Sequence, residues 1–160
     1  MNNEIISFTT RAKRSGEVDG EDYLYISEEE FRRLYDKGEI VESTTYYGRA
    51  NYGITLQELE YKLSKGPAFV IVDVEGKKQL EEFYKDTVSI FFNVSQSNAE
   101  LRMRSRGDAP ETIASRLETI EEESNNFFLY DYIVDANQSK EDVIRSIHFI
   151  LTLEGIASCM

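Results

Sequence analysis

Residues 68–73 read Ala-Phe-Val-Ile-Val-Asp, apolar at every position until an acid closes the run. A strand that is apolar on both faces needs cover on both, and that cover is found inside parallel sheets flanked by helices. Residues 88–92, Val-Ser-Ile-Phe-Phe, read as a second such strand, and 132–135, Tyr-Ile-Val-Asp, as a third. Helical patterns separate them. Ser27 with Glu30, and Thr55 with Glu58, form capping boxes ahead of helices that end near Gly38 and Gly66. Residues 80–84 supply a crossover helix. Ser97 with Glu100 caps an arginine-rich helix that ends near Gly107, Pro110 opens another, and Ser139 with Asp142 starts the last. Shorter β-rich stretches lie ahead of all this, at 5–6, 23–26 and 40–47, with Gly48 and Gly53 bracketing a turn. Strands alternating with helices predict an α/β fold, and no repeat or linker divides the chain.

The chain has 160 residues, enough for one domain with a real core. Its net charge of −12 argues against a nucleic-acid polymer as partner, since a phosphate backbone needs a basic stripe. No apolar stretch approaches the roughly 18 residues of a membrane span, and the N-terminus lacks the features of a signal peptide. One cysteine, Cys159, excludes an internal disulfide framework and fits a cytoplasmic location. The single histidine, His148, lies in an apolar C-terminal helix pattern, so Ser-His-Asp and zinc chemistry lack their parts, and no metal site is expected.

The few cations are concentrated. Arg11 and Arg14 stand three apart in Ser7-Phe-Thr-Thr-Arg-Ala-Lys-Arg, followed by Gly16-Glu-Val-Asp-Gly20 and then Tyr23. Two guanidinium forks match phosphate oxygens, the glycines permit tight turns, and the tyrosine adds a hydroxyl donor. A second cluster comprises Arg102, Arg104, Arg106 and Arg116. An acidic protein with two arginine clusters suits small phosphorylated ligands. Asp73, at the carboxyl end of an apolar strand, stands where ligands of α/β proteins gather. Glu42, taken alone, reads as an ordinary exposed acid.

The run from Ser7 to Tyr23 resembles the signature S-x-T-T-R-x-x-R-x-G-E-x-x-G-x-D-Y of guanylate kinases, and the resemblance extends from about Ile5 to Glu154. It implies a P-loop nucleoside-monophosphate-kinase-like fold, a three-layer parallel sheet with a small inserted GMP-binding β-region and a helical lid. The expected organisation is a single domain over 1–160, with a GMP-binding subdomain at about 8–55 and a lid at about 97–127. By resemblance Arg11, Arg14, Tyr23 and Tyr52 hold the phosphate of GMP or dGMP, while Ser7, Glu42 and Asp73 contact guanine. Arg102, Arg106 and Arg116 match lid arginines that act on ATP phosphates, and Asn137 matches the region near adenine.

Three departures bear on activity. Ile54 follows Tyr52-Gly53 where the family has a serine or threonine, leaving Thr55 as a substitute, and Ile71 stands where many members carry an acid. The strand, G-x-x-G-x-G-K-[ST] loop and helix that the resemblance puts before the signature are not found in these 160 residues. ATP and Mg²⁺ are therefore expected only where a P-loop is supplied elsewhere. The expected function is GMP or dGMP binding without kinase competence for the chain alone. Two alternatives stand beside it: an ATP:GMP phosphotransferase completed by another segment or partner chain, and an interaction module for phosphorylated ligands. A homo-oligomer or a partner chain is left open, and no membrane partner is expected.

Overall fold

A computed structural model describes residues 3–46 and 50–156, with only the backbone of Tyr46. Tyr47 and Gly48, expected to end a strand and open a turn, lie outside the described residues, as does Cys159. The chain forms two compact units that divide between Thr87 and Val88.

The first unit is built on a mixed sheet. Strands β1 (Phe8–Thr9), β2 (Leu24–Tyr25), β3 (Ile40–Tyr46) and β4 (Ala50–Thr55) lie in the order β2-β1-β4-β3. β1 runs parallel to β2 and antiparallel to β4, and β4 is antiparallel to β3. Helix α1 (Glu28–Asp36) starts on Ser27, whose hydroxyl accepts from Glu30 N–H, and α2 (Leu56–Leu63) starts on Thr55, which accepts from Glu58 N–H. Both caps satisfy a backbone donor that the helix itself leaves unpaired. Helix α3 (Val74–Phe83) is capped by Asp73 and begins six residues before the helix expected from Leu80.

Ile5, Val41, Ile54, Leu59 and Leu80 form the core of this unit, with Ala68, Val70 and Val72 packed against it. Those last three take alternate positions of the apolar run. Their neighbours Phe69 and Ile71 are 49% and 84% exposed. The expected two-faced strand at 68–73 is corrected accordingly. Among the described residues its one bridge joins Phe69 to Glu4, and only one face is covered, because a ladder needs a partner along its length and Asn3 to Ile5 supplies just one rung. The strand expected at 5–6 is likewise displaced to Phe8–Thr9, where two neighbours are available.

Gly53 lies within β4 rather than at a turn. A Cβ there would stand 2.1 Å from the Glu42 carbonyl oxygen and 2.8 Å from Phe8 Cζ. β3 answers with a bulge: Ile40 faces Thr55 but Glu42 faces Ile54. In a regular strand neighbouring side chains point to opposite faces. The bulge lets Val41 and Glu42, 8% and 4% exposed, both turn inward.

In the second unit, β5 (Ile90–Asn93) pairs in parallel with β6 (Tyr132–Asp135). Helix α4 (Gln96–Arg106) packs on α5 (Pro110–Ser124) through Ala99, Met103 and Ile113, with a single 3-10 turn at Phe127–Leu129 before β6, and α6 (Lys140–Leu153) follows β6. α4 is capped by Ser95, whose hydroxyl accepts from Asn98 N–H, and not by Ser97 as expected. The Asn137 side chain decides this, because its Oδ1 accepts from Ser95 N–H and holds that residue outside the helix. Among the described residues no helix is long and apolar enough to cross a membrane.

Gly53→Ala should destabilise the fold by about 1–3 kcal/mol, the range for overpacking, because neither the Glu42 backbone nor the buried Phe8 ring can yield freely. Chemical unfolding of parent and variant checks this.

Candidate functional site

The segment between β1 and β2 closes on itself. Glu17 N–H donates to Arg14 C=O at 3.3 Å, Gly20 N–H to Tyr23 C=O at 2.8 Å, and Gly16 and Gly20 take φ of +90° and +80°. Only glycine adopts such angles without steric cost. The result folds Glu17 back onto the first arginine. Arg11 donates from Nη1 and Nη2 to the two Glu17 oxygens at 2.8 and 2.6 Å, and Tyr25 Oη and Arg14 N–H donate to Glu17 Oε2 at 2.6 and 2.7 Å.

Aromatic rings frame this cation. The Arg11 guanidinium lies 5.1 Å from the Tyr23 ring centre and 5.8 Å from that of Tyr25. Tyr52, on β4 beside β1, packs edge-on against Tyr23 at 5.8 Å. The hydrogen bonds from Arg11, then Tyr25, hold the Glu17 carboxyl well below the usual carboxylate range. Glu17 in turn raises the Arg11 pKa, with a further contribution from Tyr52, and burial followed by Glu17 pushes Tyr25 up to about 12. Four hydrogen bonds from three groups thus converge on one carboxylate, an arrangement suited to an anion. Arg14 is exposed, with no ion pair from its side chain among the described residues.

Glu42 and Asp73 form a second group. Asp73 Oδ1 accepts from Gly76 N–H at 2.8 Å, and a Cβ on Gly76 would meet Glu42 Oε1 at 2.9 Å. The bare first turn of α3 therefore lies directly against the Glu42 carboxyl. That carboxyl receives no hydrogen bond from the described residues. Burial, then the charge of Asp73, pushes it up to about 7. Ser7 lines a cleft of about 220 Å³ together with Asp22, Tyr23, Val70 and Ile71.

Two hydroxyl-bearing or substituted positions have other duties. Ile54 is fully buried in the core, and the Thr55 hydroxyl is the cap of α2. Neither acts as a free hydroxyl at the Glu42 group.

In the second unit, Arg106 forms a forked pair with Asp108, and Arg116 Nη1 lies 3.7 Å from Asp108 Oδ2. Arg102 donates to the Ala136 carbonyl at 2.6 Å. Arg104 pairs with Glu100 on the exposed face of α4. Asn137 accepts from Ser95 N–H and Asn98 Nδ2, both at 2.9 Å, and donates to Asp135 at 2.7 Å, so its amide ties the end of β6 to the start of α4.

The structure thus brings Arg11, Tyr23 and Tyr52 together, sets Glu42 beside Asp73 and Gly76, and joins Arg106 to Arg116 through Asp108. Tyr25, Gly76 and Asp108 do not stand out from sequence, and Glu17 stands there only as a fixed position of the signature, with no role assigned. Glu17 had a signal, an acid six residues beyond Arg11 across a glycine turn, and Asp108 likewise follows Arg106 by two.

The guanylate kinase family profile matches residues 2–152. A guanylate kinase of Anaplasma phagocytophilum is 34% identical over 158 residues, 96% of this chain and 74% of that protein. One from Streptococcus thermophilus is 39% identical over 153 residues, 90% of this chain and 73% of its own length. The crystal structure of the Anaplasma phagocytophilum guanylate kinase superposes with a TM-score of 0.74 at 33% identity, covering 98% of this chain and 77% of that one. The fold is accordingly the mixed α/β fold of the P-loop nucleoside-monophosphate kinases.

The buried Glu42 carboxyl has a consequence for stability. Because its pKa is higher folded than unfolded, it takes up its proton more readily in the native state. Stability is then lost as pH rises from the ordinary 4.5 to about 7, and the loss is complete above that. Glu42→Gln should escape it, gaining on the order of 2–3 kcal/mol over the parent at pH 8 but little at pH 4. Denaturant titrations at the two pH values check the sign.

Proposed function

Because the chain belongs to the guanylate kinase family, we propose that it binds GMP or dGMP within the first unit. In this reading Arg11, Arg14, Tyr23 and Tyr52 hold the phosphate, and Ser7, Glu42 and Asp73 face the base. The observation that carries it is the Glu42 carboxyl: 4% exposed, without a donor among the described residues, and pressed against the backbone of Gly76 at the start of α3. A carboxyl in so dry a setting has few partners of its own, and guanine offers two adjacent donors to meet it. The Arg11 cluster supports the phosphate half, since it already holds an anionic group through guanidinium, tyrosine and backbone donors together. Glu17 must share or yield those donors when phosphate arrives.

Within this reading the chain is one guanylate-kinase-like domain, with residues at about 8–55 serving GMP and those at about 97–127 forming a lid, and it works in the cytoplasm. The lid arginines Arg102, Arg106 and Arg116 would act on a phosphate chain only after releasing the Ala136 carbonyl and Asp108. Asn137 would stand near adenine. No glycine-rich loop with its lysine and Ser/Thr occurs in these 160 residues, so they do not meet the donor set for a triphosphate and Mg²⁺. The burial of Ile54, where a base-contacting hydroxyl would stand, favours a second reading in which the Arg11 cluster takes a phosphorylated peptide.

Calorimetric titration with GMP, AMP and a phosphoserine peptide separates the readings, GMP being the expected ligand. Arg11→Ala should weaken GMP by about 1.5–3 kcal/mol, the range of a charge-assisted hydrogen bond. Undiminished affinity would contradict the phosphate assignment.

The chain alone, given ATP, Mg²⁺ and GMP, should form no ADP above the blank. GMP-dependent ADP formation that Arg106→Ala abolishes would show instead a competent phosphotransferase.

A further inference from the structure

Among the described residues β3 is the edge strand of its sheet, so one side of its backbone has no neighbouring strand. At Ser43 that side is covered by a side chain. Gln79 Oε1 accepts from Ser43 N–H at 3.0 Å, and Gln79 Nε2 donates to Ser43 C=O at 3.2 Å. The amide thus does for one residue what a neighbouring strand would do. Gln79 lies three positions beyond Gly76 on α3, on the same face of the helix. One helix face therefore touches two successive residues of β3: Gly76 meets the Glu42 carboxyl, and Gln79 grips the backbone of Ser43.

The place of this grip matters because β3 is irregular there. The bulge at Val41 turns Glu42 inward, and a bulged edge strand has one residue unpaired and a disrupted ladder. From the other side, the Glu42 carbonyl is wedged over Gly53. The clamp at Ser43 opposes, from the free edge, a rotation of the peptide that would carry the Glu42 carboxyl away from α3. The energetic pressure is toward such a rotation, since burial disfavours the carboxylate.

We infer that Gln79 is a positioning residue for base selection: its two bonds to the Ser43 backbone fix Glu42 against the first turn of α3. This rests on the reading that Glu42 faces guanine. Gln79 itself touches no ligand in that reading. Its effect falls on the contact to the base, while the phosphate contacts at Arg11 are left alone.

The test is calorimetric titration of parent, Gln79→Leu and Gln79→Glu with GMP, IMP and AMP at pH 8, beside thermal unfolding of each. IMP keeps the N1–H and lacks the exocyclic amine, so the GMP-to-IMP ratio reads the amine's share of the carboxylate contact. Gln79→Leu removes both bonds and should shrink that ratio by about tenfold, a coupling usual for residues in contact, with AMP affinity unchanged. Gln79→Glu keeps an acceptor for Ser43 N–H and loses the donor to Ser43 C=O, so an intermediate ratio is expected, and it carries the test if Gln79→Leu does not fold. Unaltered ratios, or an equal loss for all three nucleotides, would overturn the inference. A parent that binds GMP and IMP equally would instead overturn the reading of Glu42 beneath it.

Discussion

The first unit depends on how one residue is seated. The Glu42 carbonyl occupies the space a side chain on Gly53 would need, and its carboxyl faces the space a side chain on Gly76 would need. Two glycines, one on the sheet and one on the helix, thus receive the two ends of the same residue. The Phe8 ring, fully buried, closes the same contact from β1, and so links the strand that leads into the Arg11 loop to the strand that carries the acid. Packing this close cannot deform gradually, because protein interiors are as dense as organic crystals. The Glu42 group and the Arg11 group therefore share one rigid frame.

Charge is organised by a different rule. With a net charge of −12 the chain has carboxylates to spare, and it commits them to its arginines. Glu17 takes the fork of Arg11, and Asp108 takes Arg106 with Arg116 nearby. These acids hold the guanidinium groups in place, and the entropy of ordering those long side chains is already spent. A phosphate carries more charge than a carboxylate and three acceptor oxygens, so it competes well for donors gathered in this way. The same arrangement holds the Arg11 guanidinium within cation–π range of both Tyr23 and Tyr25.

How much was legible in the sequence follows from how local each interaction is. Ser27, Thr55 and Ser139 could be read as caps because each bonds a backbone N–H three residues on. Ser95 and Ser97 both offer that spacing, and the choice between them is made by Asn137, far away in sequence. The run at 68–73 shows its composition but not its partners, and a strand exists only where partners exist. Its alternate residues Val70 and Val72 found a core, while Phe69 and Ile71 did not. The arginines, tyrosines and Glu42 stood out by motif and chemistry. The clamp of Gln79 on Ser43 spans 36 residues and leaves no mark in either segment alone.

The central claim is that a buried, partly protonated Glu42 meets the base. Calorimetry of GMP binding near pH 6.5 in two buffers of different ionisation enthalpy measures the protons released on binding. Accepting guanine's donors requires the ionised carboxylate, so the parent should release more protons than Glu42→Gln, and the excess should vanish above pH 8, where Glu42 is already ionised. The phosphate releases protons equally in both and cancels. Equal release from parent and variant would contradict the account.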